Sequence, residues 1–296
     1  MIGKPAAVVK NLIIVRAGRN SLHPRWLDGT GDPEFDLLIA SYENGACNIP
    51  TQPSMFVPGR KISGYYEVFQ RRPDLLERYD YIALFDDDIS ATKQDIGRLF
   101  TIGREYQLDL FQPALSWDSY FSYAATLANE RFRLRYTNIV EMMCPVFRTE
   151  HLKRTLPLFG LGYETGIDLL WTRLTGDPWF RYAIVDDVVV RHTRPIGATS
   201  EQQGFGEGRY DRQIQTVLDR FGATFRGFVT YAAIEKRGRL VRSRYVIGLH
   251  TLALWGAWHQ TPMERKYFLR YLTDHTRHCF FRPVNLSKID FGLKAA

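Results

Sequence analysis

An apolar run, Tyr81-Ile82-Ala83-Leu84-Phe85, leads directly into three carboxylates, Asp86-Asp87-Asp88. This junction constrains the fold more than any other stretch of the chain. Consecutive apolar residues without alternation fit a strand buried on both faces, as in a parallel sheet covered by helices. Such sheets bind ligands outside the carboxyl ends of their strands, so the acids stand where a ligand is expected. In an extended chain Asp86 and Asp88 face the same side. A carboxylate pair of this kind suits Mg²⁺ or Mn²⁺, which are held by one or two carboxylates together with substrate phosphates. Three clustered like charges also repel one another when no cation is present. The competing reading is a solvated acidic turn in which the acids and Ser90 cap the next helix.

Strand and helix signals alternate around this junction. Strands are expected at residues 11–15, 35–41, 108–111, 139–147 and 183–191, and helices at 63–77, 91–105, 149–159 and 165–174. Alternation of this kind argues for βαβ units. The expected fold class is α/β, a Rossmann-like, mostly parallel sheet flanked by helices. Residues 1–200 are expected to form this domain, and residues 201–296 a helical, basic and aromatic extension packed on it. Gly204, Gly206 and Gly208 spell G-x-G-x-G, but no strand precedes them, which argues against a dinucleotide fingerprint.

The formal charge of +7 on 296 residues favours anionic partners. The arginines are dispersed and no nucleic-acid-binding motif is present, so nucleic acid is not an expected partner. The cysteines Cys47, Cys144 and Cys279 are odd in number and far apart. They suit neither a disulfide framework nor a zinc site, which points to a reducing, cytoplasmic setting. The apolar stretch at residues 6–9 is too short for a secretory signal. The stretch near 245–258 is interrupted by Gly248, His250 and Gly256, and falls short of the roughly 20 apolar residues of a spanning helix.

A second acidic set follows the glycine-rich break at Gly160 and Gly162. Glu164 and Asp168, four residues apart, would share one face of the expected helix. Helix capping accounts for Glu164. Asp168, set between Ile167 and Leu169, suits a general base. His192, at the end of an apolar strand, is a candidate third metal ligand; the bland alternative is a structural histidine.

The order of these segments carries a family resemblance. A strand ending in Asp-x-Asp is followed by Gln112-Pro113-Ala114-Leu115, then by Val140-Glu141-Met142-Met143-Cys144-Pro145-Val146-Phe147. Gly166-Ile167-Asp168 comes next, then Val185-Asp186 with His192. Over about residues 10 to 200 the chain resembles a GT-A glycosyltransferase, and within that group the family called domain of unknown function 707. Two positions depart from the family pattern: Asp87 replaces a usual Glu, and Thr165 replaces a usual Trp. The resemblance implies a metal-dependent transfer from a nucleotide-diphosphate sugar to a glycan or lipid-linked acceptor, as in polysaccharide biosynthesis. It implies that Asp86, Asp88 and His192 hold Mn²⁺ or Mg²⁺, with Asp86 also near the ribose or a metal-bound water. Asp168 would deprotonate the acceptor in an inverting displacement, with Glu164 the next candidate base. Arg16, Gly18, Glu43 and Asp87 would line the nucleotide-sugar pocket, Lys61 or Arg60 would face phosphate, and Glu141 would hold a sugar.

Two other functions stay open at this level: a non-catalytic sugar-nucleotide or glycan-binding protein on the same fold, and a nucleotidyltransferase. The latter would use Arg16-Ala17-Gly18-Arg19-Asn20 as its phosphate loop. In the C-terminal segment, aromatic residues interleave with Arg265, Lys266, Arg270, Arg277 and Arg282. Helices covering the catalytic domain account for this pattern, and peripheral attachment to an anionic membrane surface is the alternative.

Overall fold

The computed structural model describes residues 10–44, 49–196 and 209–292. Residues 6–9, Cys47, Gly204, Gly206 and Gly208 lie outside them. The strands are β1 (Asn11–Ala17), β2 (Asp36–Ser41), β3 (Ser54–Phe56), β4 (Tyr81–Asp86), β5 (Ile89–Ser90), β6 (Leu110–Leu115), β7 (Phe132–Thr137), β8 (Val146–Arg148), β9 (Tyr182–His192), β10 (Thr230–Glu235) and β11 (Leu240–Val241). The helices are α1 (Lys61–Arg71), α2 (Leu75–Arg78), α3 (Lys93–Glu105), α4 (Thr149–Phe159), α5 (Arg209–Arg220), α6 (Arg244–Ala253) and α7 (Phe268–Phe280).

The sheet runs β11-β10-β7-β9-β6-β8-β4-β1-β2-β3, with β5 paired to the end of β9. The expected parallel core is present as β4-β1-β2-β3 and as β6 beside β9. The sheet as a whole is mixed, because β8, β7, β10 and β11 join it antiparallel. All seven residues of β1 are buried, as are the first five of β4. Helices α1 and α4 pack on each other and against β1, β4 and β8, while α3 covers β6 and β9.

Several expectations are corrected. The helix expected over 63–77 breaks after Arg71, because Pro73 cannot continue it. The strand at 110–115 runs through Pro113. Its β8 partner is already spent at Phe111, so no partner on that side needs the missing N–H. Residues 139–145 form no strand. Met143 and Pro145 still offer carbonyls to the N–H groups of Asp86 and Leu84, but Pro145 has no N–H to return. The expected helix over 165–174 is two short 3₁₀ turns, Ile167–Leu169 and Trp171–Arg173. Gly166 enters the first turn at φ +86°, and a Cβ there would come within 3.1 Å of the Ile214 backbone. The chain after residue 209 is not helical throughout: Thr230–Glu235 pairs with β7, so C-terminal residues belong to the same sheet. Finally, the acids at 86–88 and Ser90 do not cap α3. Thr92 does, accepting from the Asp95 N–H at 3.1 Å.

Between Pro113 and Ala114 of β6 the facing strand β9 bulges out Asp186, Asp187 and Val188. Asp186 turns inward onto Arg135 of β7 in a fully buried bidentate pair, both contacts at 2.8 Å. The same guanidinium donates to the carbonyls of Ala125 and Leu127, 2.9 and 2.7 Å away. Removing one member of such a pair strands the other charge in a low-dielectric interior. Asp186→Ala is therefore expected to lower unfolding stability by about 3–5 kcal/mol, measured by denaturant titration, with the loop at residues 124–128 loosening first in hydrogen exchange.

Candidate active site

The carboxyl ends of β4 and β9 meet because β5 folds back onto β9. Ile89 pairs with His192, and both Thr193 N–H and Thr193 Oγ1 donate to the Asp88 carbonyl, at 3.1 and 2.9 Å. This arrangement brings ligand atoms of Asp86, Asp88 and His192 within 4.8 Å of one another. Asp87 leaves the group. Its carboxylate accepts from the Gly18 N–H at 2.8 Å, the Tyr42 hydroxyl at 3.2 Å and Arg194 at 3.0 Å.

His192 is positioned from both sides. Its N–H donates to Ser119 Oγ, and its Nδ1 stands 3.0 Å from the Tyr120 carbonyl. A carbonyl only accepts, so Nδ1 carries a proton and Nε2 faces Asp88 Oδ2 at 3.1 Å. Burial opposes charge on this imidazole, yet contact with Asp88 raises its pKa overall. Burial likewise opposes ionisation of Asp88, and the hydrogen bond with His192 brings its pKa below the ordinary value. Burial raises Asp86 to about 6 against the attraction of Lys61, with repulsion from Asp88 adding to the rise. The Lys61 ammonium lies 2.6 Å from Asp86 Oδ1 and also donates to the Met142 carbonyl.

These residues open onto a cavity of about 740 Å³, whose walls include Arg16, Lys61, Asp86, Asp87, Asp88, Glu141, Glu164, Asp168, His192 and Arg194. Gly18 and Glu43 are not among its lining residues. Gly18 lets Tyr42 pass, since a Cβ there would sit 2.3 Å from the Tyr42 hydroxyl oxygen. Glu43 instead accepts from the Arg19 N–H at 3.2 Å, at the surface. Arg16 is buried beneath α1, where Gly64 makes room for it, and donates to the Gly59 carbonyl at 2.9 Å. Its Nε finds no hydrogen-bond acceptor among the described residues.

Glu164 and Asp168 separate in role. The Glu164 carboxylate accepts from the Ile62 and Ser63 N–H groups at 2.7 and 3.0 Å, so it caps α1 rather than its own segment. Asp168 is buried in the cavity wall, where it accepts backbone N–H bonds from Met142, Leu169 and its own residue. Burial outweighs these bonds and raises it to about 6. Burial also pushes Glu141 up to about 7, opposed by a hydrogen bond from Ser122 and reinforced by the charge of Asp168. Glu141 Oε2 is buried without a partner among the described residues. Arg194, Tyr42, Ser119 and Tyr120 went unrecognised in the sequence. They lie on irregular loops, and only the position of Arg194, two residues beyond His192, offered a signal.

Glu141 makes stability depend on pH. The unfolded side chain ionises near 4.5, while the folded one keeps its proton to about 7. The contribution is complete below the unfolded pKa and is lost as pH rises through the folded one. Glu141→Gln removes this loss. Between pH 5 and 8 the variant is expected to gain about 2–3 kcal/mol relative to the parent, measured by denaturant midpoints at both pH values.

No protein-family model matches the chain, and no curated protein matches it, so membership of the domain of unknown function 707 family gains no support from those comparisons. Among solved structures the chain is similar to S. aureus TarS 1-349 in complex with UDP, at 11% identity, 74% of this chain, 73% of that chain and TM-score 0.41. It is similar to A197 from STIV at 11% identity, 79% of this chain, 94% of that chain and TM-score 0.35. It is also similar to CMP:2-keto-3-deoxy-manno-octonic acid synthetase complexed with CTP, at 12% identity, 48% of this chain, 75% of that chain and TM-score 0.29. Likenesses at this level assign neither a reaction nor a ligand.

Proposed function

We propose that this protein is a metal-dependent glycosyltransferase of the GT-A type, moving a sugar from a nucleotide-diphosphate sugar to a glycan or lipid-linked acceptor in polysaccharide biosynthesis. One observation carries this reading. Asp86, Asp88 and His192 converge at the carboxyl ends of two strands, on a cavity that also holds the buried carboxyl of Asp168.

The donor set fits a divalent cation: two carboxylates, and an imidazole whose Nδ1 bond to Tyr120 leaves Nε2 on the carboxylate side. Asp86, Asp88 and His192 would hold Mn²⁺ or Mg²⁺, whose charge offsets that of a departing nucleoside diphosphate. Lys61, Arg16 and Arg194 add fixed positive charge along the same wall, which suits phosphate. Asp168 is ionised above about pH 6 and is held in the cavity wall, so it is assigned the acceptor hydroxyl proton in an inverting displacement. Glu141, close to half-protonated at neutral pH and unpartnered at Oε2, is assigned a sugar hydroxyl. Gly18 and Asp87 shape the pocket through their mutual contact and Glu164 through the start of α1, while Glu43 holds the Arg19 loop at the surface. The Lys61–Asp86 ion pair favours one narrower alternative, in which the chain binds a sugar nucleotide without a metal and without turnover.

Calorimetric titration with Mn²⁺ tests the metal assignment: Asp88→Ala removes a ligand and should weaken binding by at least the roughly tenfold that losing an outer-shell partner costs. A donor screen that reads nucleotide release tests the activity. Release should stop in excess chelator, and undiminished release there would overturn the metal role. Sugar-nucleotide binding with no release from any donor would favour the non-catalytic alternative.

The base assignment has its own signature. Asp168→Asn should lower turnover by about 10²–10⁴-fold with donor affinity nearly unchanged. In the parent protein, turnover should rise with pH through about 6 as Asp168 loses its proton. A flat profile over that window, or near-normal turnover of the variant, would move the base role to another residue.

A further inference from the structure

We infer that the outer face of α7, with the start of α6 beside it, docks on an anionic membrane surface. Leu269, Thr273, Thr276 and Phe280 recur at helical spacing along one stripe of α7. Leu269 is 70% exposed, and Phe281, just past the helix end, is 79% exposed. Leu272, Thr273, Thr276, Arg277 and Phe281 together line a shallow groove on this side.

Helix α6 extends the patch. Arg244 donates to the carbonyls of His278 and Cys279 at 2.8 and 2.7 Å, which pins the start of α6 to the end of α7. Tyr245 stacks on Phe280 with ring centroids 6.1 Å apart. One turn further on, Leu249 is 61% exposed. Large apolar side chains this exposed, grouped on two adjoining helices, mark a docking surface.

Charge selects the occupant. Residues 244–282 carry six arginines and lysines against two acids. One acid, Glu264, is paired with Lys266 at 2.7 Å, and the other, Asp274, lines the cavity. Arg265, Arg277 and Arg282 form no ion pair with a described residue, whereas Arg270, like Asp274, lines the cavity. Exposed apolar side chains flanked by unneutralised arginines complement an interface of acyl chains and anionic headgroups. Among the described residues no helix is long and apolar enough to cross a membrane, so the contact is peripheral.

The opposite side of α7 gives Arg270, Tyr271, Asp274 and His278 to the cavity. Docking would therefore set the cavity beside the bilayer, where a lipid-linked acceptor is presented. That last point rests on the transferase reading; vesicle binding does not.

The test is co-sedimentation of the full chain with vesicles of phosphatidylcholine alone or mixed with phosphatidylglycerol. Binding is expected only to the anionic vesicles and should weaken at high salt, because exposed charges are screened. Arg265→Gln with Arg277→Gln should weaken it roughly thirtyfold, at the usual worth of a basic residue near an anionic surface. Leu249→Ser with Phe281→Ser should weaken it as well, while circular dichroism and the unfolding midpoint stay unchanged. No binding to anionic vesicles at low salt would overturn the inference. Binding that both double variants retain would do the same, as would a concentration-dependent dimer, dissolved by Phe281→Ser, that forms in place of vesicle binding. Vesicle binding without nucleotide release from any donor would leave the docking surface standing and remove the transferase reading alone.

Discussion

The buried carboxylate of Asp87 is the contact on which the site depends. A carboxylate out of water must be met by donors or it destabilises the fold. Here the donors come from three separate places: the loop after β1 through Gly18, the end of β2 through Tyr42, and the chain beyond β9 through Arg194. Asp87 thereby ties together the carboxyl ends of β1, β2 and β9. With the middle acid used in this way, Asp86 and Asp88 are left facing His192 and the cavity. The acid between the two metal-ligand candidates is the one that assembles the site.

Electrostatics divides the cavity wall. Around Asp86 and Asp87 stand Arg16, Lys61 and Arg194, a grouping suited to phosphate. The same wall holds Glu141 and Asp168, two carboxyls that burial drives toward the neutral form, with the charge of Asp168 adding to the cost of ionising Glu141. Acids with elevated pKa values grouped in a cleft are a recognised mark of function, although structural networks perturb pKa values too. Asp186 shows the difference. It is equally buried, but Arg135 satisfies both of its oxygens, so it serves the sheet and, through the carbonyls of Ala125 and Leu127, the wall of the cavity.

The C-terminal part of the chain is joined to the rest by its backbone. Strand β10 pairs with β7, the same strand that supplies Arg135, so the sheet continues across the boundary at residue 200 that composition suggested. Helix α7 then closes over the cavity on one side and presents arginines and exposed apolar groups on the other. Aromatic density in 245–281 has two sources that composition cannot separate. Trp255 and Trp258 are buried, with rings stacked 5.5 Å apart, whereas Tyr245 and Phe281 are open to solvent.

What the sequence determined by itself was local. Unbroken apolar runs specified β1 and β4, helical periodicity specified α3 and α4, and the acids at the end of β4 marked the edge where a ligand would bind. Those features arise from side-chain pattern within a few residues, which is why they are legible in one dimension. Only the tertiary structure decided which acid does what. Glu164 caps α1, a hundred residues away in sequence, because the loop at Gly166 approaches α5 closely enough to aim it there. The segment around Glu141 leaves the sheet because Pro145 cannot return a hydrogen bond to β4. His192 reaches Asp88 because the short strand β5 folds back on β9. Each of these outcomes depends on a partner distant in the chain, and a sequence pattern carries no record of which distant backbone group will be left needing a partner.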